Sequence, residues 1–109
     1  MKNLKLIVHG GAIRPDPACD YSGLFPGMKE PVRIEFAFPA EWRNGVKVAA
    51  FWSMLGKEYP PRALHDGKSC VVPPEALCNA AFRVQIFGKL NGEKVSTAKY
   101  TIHLKGGSA

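Results

Sequence analysis

The residues able to do chemistry are few, and their spacing argues against most reactions. His9-Gly10-Gly11 could aim backbone N–H groups at an oxyanion, but acyl transfer also needs a nucleophile elbow of the form G-x-S-x-G, and neither Ser22-Gly23 nor Ser69 has the flanking glycines. A glycine pair directly after a strand reads instead as a turn. His9, His65 and His103 show no HxH or HExxH spacing, so no metal site is expected, and His65-Asp66 suits a local hydrogen bond in a turn. Cys19, Cys70 and Cys78 are an odd set without a C-x-x-C pair, which signals neither a disulfide framework nor zinc. Cys70 leads into Val71-Val72 and Cys78 falls in a short helical turn, so both read as buried free thiols, with a Cys70–Cys78 bridge left open. The acidic residues are scattered, and no glycine loop is built to cradle phosphate. The expectation is a protein that is not an enzyme and uses no cofactor.

The same inventory is more suggestive for binding. Trp42, Phe51, Trp52 and Tyr59 cluster in the middle of the chain, and Phe51 and Trp52 are adjacent. Adjacent residues of a strand point to opposite faces, so one of these two rings must leave the core or be covered by something else. Tryptophan, tyrosine and arginine are the residues most often found where binding energy concentrates. Arg33, Lys47, Arg83 and Lys99 each alternate with apolar neighbours and would supply cationic faces. The candidate partner-binding set is therefore Trp42, Phe51, Trp52, Tyr59, Arg33, Lys47, Arg83 and Lys99.

What must position these residues is a set of short strands. Val32, Ile34, Phe36 and Phe38 share one parity with Arg33, Glu35 and Ala37 on the other; Val46, Val48, Ala50 and Trp52 repeat the pattern against Lys47, Ala49 and Phe51. Asn44-Gly45 reads as a turn between them. Pro60-Pro61 restricts residues 55–66 to an edge strand or loop. Residues 69–72 form a short strand ended by Pro73-Pro74, and Glu75 to Asn79 can make one helical turn. Phe82, Val84 and Ile86 alternate with Arg83 and Gln85, and with residues 94–104 they make a closing hairpin around Asn91-Gly92. The fold class expected is all-β: an immunoglobulin-like antiparallel β-sandwich of about seven strands with an extended N-terminal arm. Residues 1–31 form that arm, with one short strand at Leu4–Val8 and prolines at 15, 17, 26 and 31, and it either spreads over a neighbouring molecule or wraps as a surface loop over the domain's own sheet. Residues 32–105 form the sandwich domain, and residues 106–109 a flexible tail.

Composition sets the remaining bounds. A chain of 109 residues with 46% hydrophobic and 22% charged residues is one folded domain. Its formal net charge of +6 is spread without any basic run, which favours a cationic protein-facing surface over direct nucleic-acid binding. The apolar stretch at the N-terminus is broken by Lys5 and is too short for a secretion signal. No segment approaches the ~18 apolar residues of a membrane span.

The succession "EWRNGVKVAAFW", "CVVPPEAL", "FRVQIFGKLNGEKVSTAKYTIHL" resembles a module of bacteriophage virion proteins, found in head-fibre, baseplate and tail-appendage components. Val72, Pro73, Glu75 and Leu77 match its V/I-P-x-E-x-L turn, Gly88 its strand end and Thr97 the opening of its last strand. The resemblance implies a structural protein localised to the virion. Its partners would be capsid or tail subunits, or other copies of itself within the particle, and its role that of a capsid decoration or accessory protein. The alternative it implies is a carbohydrate- or receptor-binding module of a tail or baseplate.

Overall fold

The computed structural model describes residues 1–42 and 45–104. The turn expected at Asn44-Gly45 falls partly, and the tail wholly, outside the described residues.

Nine strands build two facing sheets: β1 (Lys2–His9), β2 (Ala12–Pro15), β3 (Val32–Ala37), β4 (Val46–Ser53), β5 (Glu58–Ala63), β6 (Ser69–Val71), β7 (Ala81–Leu90), β8 (Glu93–Ser96) and β9 (Tyr100–His103). Sheet A runs β2-β1-β3-β6; sheet B runs β5-β4-β7, with β8 and β9 both paired to β7. The protein is thus an all-β sandwich. Two strands beyond the expected seven have local causes. Residues 12–15 fold back on β1, and the last strand is split at residues 97–99.

The split follows from one side chain. The Thr97 Oγ1 accepts the Ile86 N–H at 3.1 Å, where a regular ladder would offer a carbonyl. The Gln85 amide donates to the Thr97 carbonyl at 2.7 Å. The Ala98 N–H then turns away from β7 to donate to the Gly11 carbonyl, 2.8 Å away in the β1–β2 turn. That bond ties the edge of sheet B to sheet A.

His9-Gly10-Gly11 is indeed a turn: Gly10 and Gly11 have φ of +56° and +81°, the conformation a two-residue hairpin requires and glycine adopts without strain. Asn91 and Gly92 close the β7–β8 hairpin in the same way, with φ of 51° and 82°. A single 3₁₀ turn at Pro74–Cys78 stands where a helical turn was expected.

Residues 1–31 do not form a detached arm. β1 pairs with β2 antiparallel and with β3 parallel, so it is an interior strand of sheet A. Its alternation puts Leu4, Leu6 and Val8 in the core, at 0%, 1% and 2% exposure. A parallel pair needs a crossover of a dozen or more residues, and residues 16–31 supply it. The crossover is fastened at both ends. The Tyr21 hydroxyl donates to the Lys5 carbonyl and accepts the Asp16 N–H at 2.8 Å, while the Gly27 N–H donates to the Leu77 carbonyl at 2.7 Å. Between them Leu24 and Met28 are buried. The prolines that suggested an extended arm sit outside the ladders or, for Pro15, at the end of the edge strand β2, where a missing donor costs nothing.

Two of the cysteine expectations divide. All three thiols are free, and Cys70 is buried, but Cys78 is exposed at the end of its turn. Burial pushes the Cys70 thiol up to about 12 from 9.0. A group held above its unfolded value stabilises the fold fully below pH 9.0, and that contribution is lost as pH rises through about 12. Tyr21, raised by burial from 10.0 to about 12, acts in the same direction, and the buried Lys47, lowered by desolvation, in the opposite one. The expected result is a denaturation midpoint that falls steadily above pH 9 and falls less steeply in Cys70→Ala. Parallel pH profiles for the two proteins would count against this assignment.

Candidate functional site

The orientation of β4 decides which candidate residues can meet a partner. β4 pairs with β7 so that Ala49 lies opposite Ile86 and Phe51 opposite Val84. The β7 residues Phe82, Val84 and Ile86 face the core, so cross-strand partners on the same face do too. Lys47, Ala49 and Phe51 therefore point inward, and Val46, Val48, Ala50 and Trp52 point away from sheet A.

This removes four residues from the partner-binding set. Phe51 is fully buried, with its ring 6.0 Å from that of Phe82, and Tyr59 is buried beside it, its hydroxyl accepting the Asn79 amide at 3.2 Å. Trp42, 5% exposed, folds over the end of the sandwich on a short 3₁₀ turn, Ala40–Trp42. Its ring stacks 5.7 Å from Phe38 and lies on Gly88, where a Cβ would come within 2.9 Å of the indole. Lys47, at 6% exposure, sends its ammonium into this end rather than to solvent. It donates to the Trp42 and Gly45 carbonyls at 2.9 and 3.1 Å and sits 4.9 Å from the Phe38 ring. Desolvation lowers its pKa. These side chains hold the fold together and cannot meet a partner. Arg33 lies on the far side of the molecule, on sheet A, where its guanidinium donates to the Ser69 hydroxyl at 3.1 Å.

The remaining three come together. Trp52 and Arg83 are cross-strand neighbours, and Lys99 reaches over β7 to place its ammonium 3.9 Å from the centre of the Trp52 ring. The kink at residues 97–99 brings the lysine within reach. A cation at this distance over an indole gains about 0.5–1 kcal/mol where exposed and more when desolvated. The Trp52 Nε1 is buried and has no acceptor among the described residues.

Around this pair the outer face of sheet B carries an apolar stripe with a cationic border. Val46 is 76% and Phe87 40% exposed, with Val48 half-buried between them. Lys89 pairs with Val46 across β4–β7 and with Lys94 across β7–β8, so two more cations flank the stripe. Glu58 is opposite Trp52 at the β5 edge. Phe87, Lys89 and Lys94 were not singled out in the sequence. Phe87 was the available signal: it occupies the outward register of Arg83 and Gln85, where an apolar ring breaks the alternation.

Among the described residues no group of three or more His, Cys, Asp or Glu is placed to hold a metal ion, and the His65 imidazole pairs with the Asp66 carboxylate at 3.3 Å. No helix there is long and apolar enough to cross a membrane. Fold and site together define a β-sandwich whose sheet B presents an apolar and cationic outer face. No protein family, curated protein or solved structure matches the chain.

Proposed function

We propose that the protein is a non-catalytic structural component that docks on an acidic protein surface through the outer face of sheet B. The observation that carries this reading is the joined arrangement of Trp52, Lys99 and Arg83 beside the exposed Val46 and Phe87. Interfaces typically combine an apolar, aromatic centre with a polar rim, and complementary charge fixes register and speeds encounter. The resemblance of residues 32–104 to virion modules supports a bacteriophage particle as the assembly, with a capsid or tail lattice as the acidic partner. In that setting the protein is a decoration or accessory subunit.

The carbohydrate-binding alternative has less to stand on. Sugar recognition would use open aromatic faces, but Trp42 is buried and Lys99 covers a face of Trp52.

The test is cosedimentation of the purified protein with assembled particles of the phage whose genome encodes it. Binding is expected to weaken as salt rises, because exposed charges are screened beyond ~8 Å at physiological ionic strength. The double variant Arg83→Glu/Lys99→Glu should lose about tenfold or more in affinity, since it turns attraction into repulsion at the centre of the face. Its thermal unfolding should stay close to that of the parent, because neither side chain is buried. Undiminished sedimentation of a folded double variant would remove the face from the function.

A further inference from the structure

A second site lies at the opposite edge of the sandwich, away from the docking face. β5 is the edge of sheet B and β6 the edge of sheet A, and the chain passes from one to the other through residues 64–68. Between these two edges opens a cleft of about 550 Å³, within the range of ~300–1,000 Å³ usual for small-molecule sites. Arg33, Arg62, His65 and Ser69 line it, with apolar Pro61 and Val71, and no carboxylate is part of its lining.

Arg62 is the unusual member. It pairs with Ala49, whose methyl faces the core, so Arg62 projects from β5 toward the seam between the sheets. A long cationic side chain in that register is costly to keep unless something accepts its protons. Its Nε is buried and has no hydrogen-bond partner among the described residues. Leaving a buried donor unsatisfied costs about 1–3 kcal/mol, more for a charged group. The second guanidinium is held in place. The Arg33 Nη2 donates to the hydroxyl of Ser69, which is itself 1% exposed. Of the acids nearby, Asp66 pairs with His65 at 3.3 Å and Glu30 with the Met1 ammonium at 3.1 Å, both partners being part of the cleft's lining, while Glu35 lies opposite Ser69 across β3–β6.

We infer that this cleft binds a small oxoanion-bearing ligand, its carboxylate or phosphate taken between the Arg33 and Arg62 guanidiniums and its apolar body against Pro61 and Val71. Guanidinium forks match both anions in geometry, and charge-assisted bonds of this kind are about twice as strong as neutral ones. The Arg62 Nε is closed to solvent, so an anion in the cleft meets the outer nitrogens of the guanidinium, and the Nε only once the side chain turns. The site is independent of the docking face: neither Arg83 nor Lys99 contributes to it.

The experiment is an NMR titration of the full chain with three probes: inorganic phosphate, citrate and glucuronate. The arginine Nε–H signals are followed together with the backbone amides. Saturable shifts of the Arg62 Nε–H and of amides around Arg33, Ser69 and Val71 are expected with at least one probe. Response to phosphate alone identifies a phosphate site; response to citrate or glucuronate without phosphate identifies a carboxylate site. Arg62→Gln should weaken binding by about tenfold or more, the size of one charge-assisted contact, and Arg62→Lys, which keeps the charge and loses the fork, by less. Arg33→Gln provides the same reading if Arg62→Gln does not fold. Absence of saturable shifts with all three probes at millimolar concentration, or binding unchanged in a folded arginine variant, overturns the site. The Arg83→Glu/Lys99→Glu variant should bind the probe as the parent does, which separates failure of this site from failure of the docking face.

Discussion

A chain lacking residues 1–31 is expected not to fold. The deletion removes β1 from the interior of sheet A, and with it Leu4, Leu6 and Val8, each exposed by 2% or less. It also removes Ile13, Leu24 and Met28 from the core. Truncating one buried leucine to alanine costs about 2–5 kcal/mol, and a whole domain is stable by only ~5–15 kcal/mol. Six such side chains exceed that margin before the lost ladder is considered. β3 would keep only the three-residue β6 as a partner, and the inner faces of Val32, Ile34 and Phe36 would meet water. The truncated protein should show no cooperative thermal transition and little amide dispersion, whereas Leu6→Ala should still fold, about 2–5 kcal/mol less stable. A truncated chain that melts cooperatively near the parent's temperature would return residues 1–31 to the role of a detachable arm. The consequence for function is direct: Leu4, Leu6, Val8, Ile13, Leu24 and Met28 are committed to the core, so this segment is not free to leave the domain and spread over a partner.

How much of this was legible depends on the range of the interaction involved. The β7–β8 turn at Asn91-Gly92 and the alternation of Phe82, Val84 and Ile86 are local, and both appear in the structure as the residues suggest. The face of β4 is not local. Val46, Val48, Ala50 and Trp52 are more apolar than Lys47, Ala49 and Phe51, yet the second set points inward. The register with β7 decides it: Phe51 meets Val84 and its ring packs near Phe82, while Lys47 satisfies its charge on two carbonyls at the sandwich end. β1 was hidden for a similar reason. Its parallel pairing with β3 spans a long crossover, and nothing in Leu4–Val8 itself distinguishes an interior strand from a short one on an arm. For the docking face, the residue types of Trp52, Arg83 and Lys99 were readable, but their meeting depends on the kink that the Thr97 side chain makes. Arg62 stood out in no pattern. Only its register against Ala49 shows that it is aimed into a seam.

The two tryptophans should separate fold from function. Trp42→Ala is expected to cost about 3–5 kcal/mol, the range for removing a large buried aromatic. The loss has identifiable parts. The indole covers Gly88, whose missing side chain leaves a hollow that a Cβ would fill to within 2.9 Å of the ring. It also stacks on Phe38, the ring over which the Lys47 ammonium sits. Without the ring, water reaches that ammonium and the phenyl group beneath it, so the end of the sandwich loosens as a unit. Trp52→Ala removes a half-buried ring from the outer face and an indole Nε1 that has no acceptor among the described residues. What is lost there is mainly the contact with Lys99, so the expected cost to stability is about 1 kcal/mol or less. Urea denaturation of the two variants measures both numbers. If the outer face docks on a partner, Trp52→Ala should abolish binding while leaving the unfolding curve nearly in place. A Trp52→Ala variant as unstable as Trp42→Ala would mean that the outer ring is a support of the sheet, and the docking face would lose its centre.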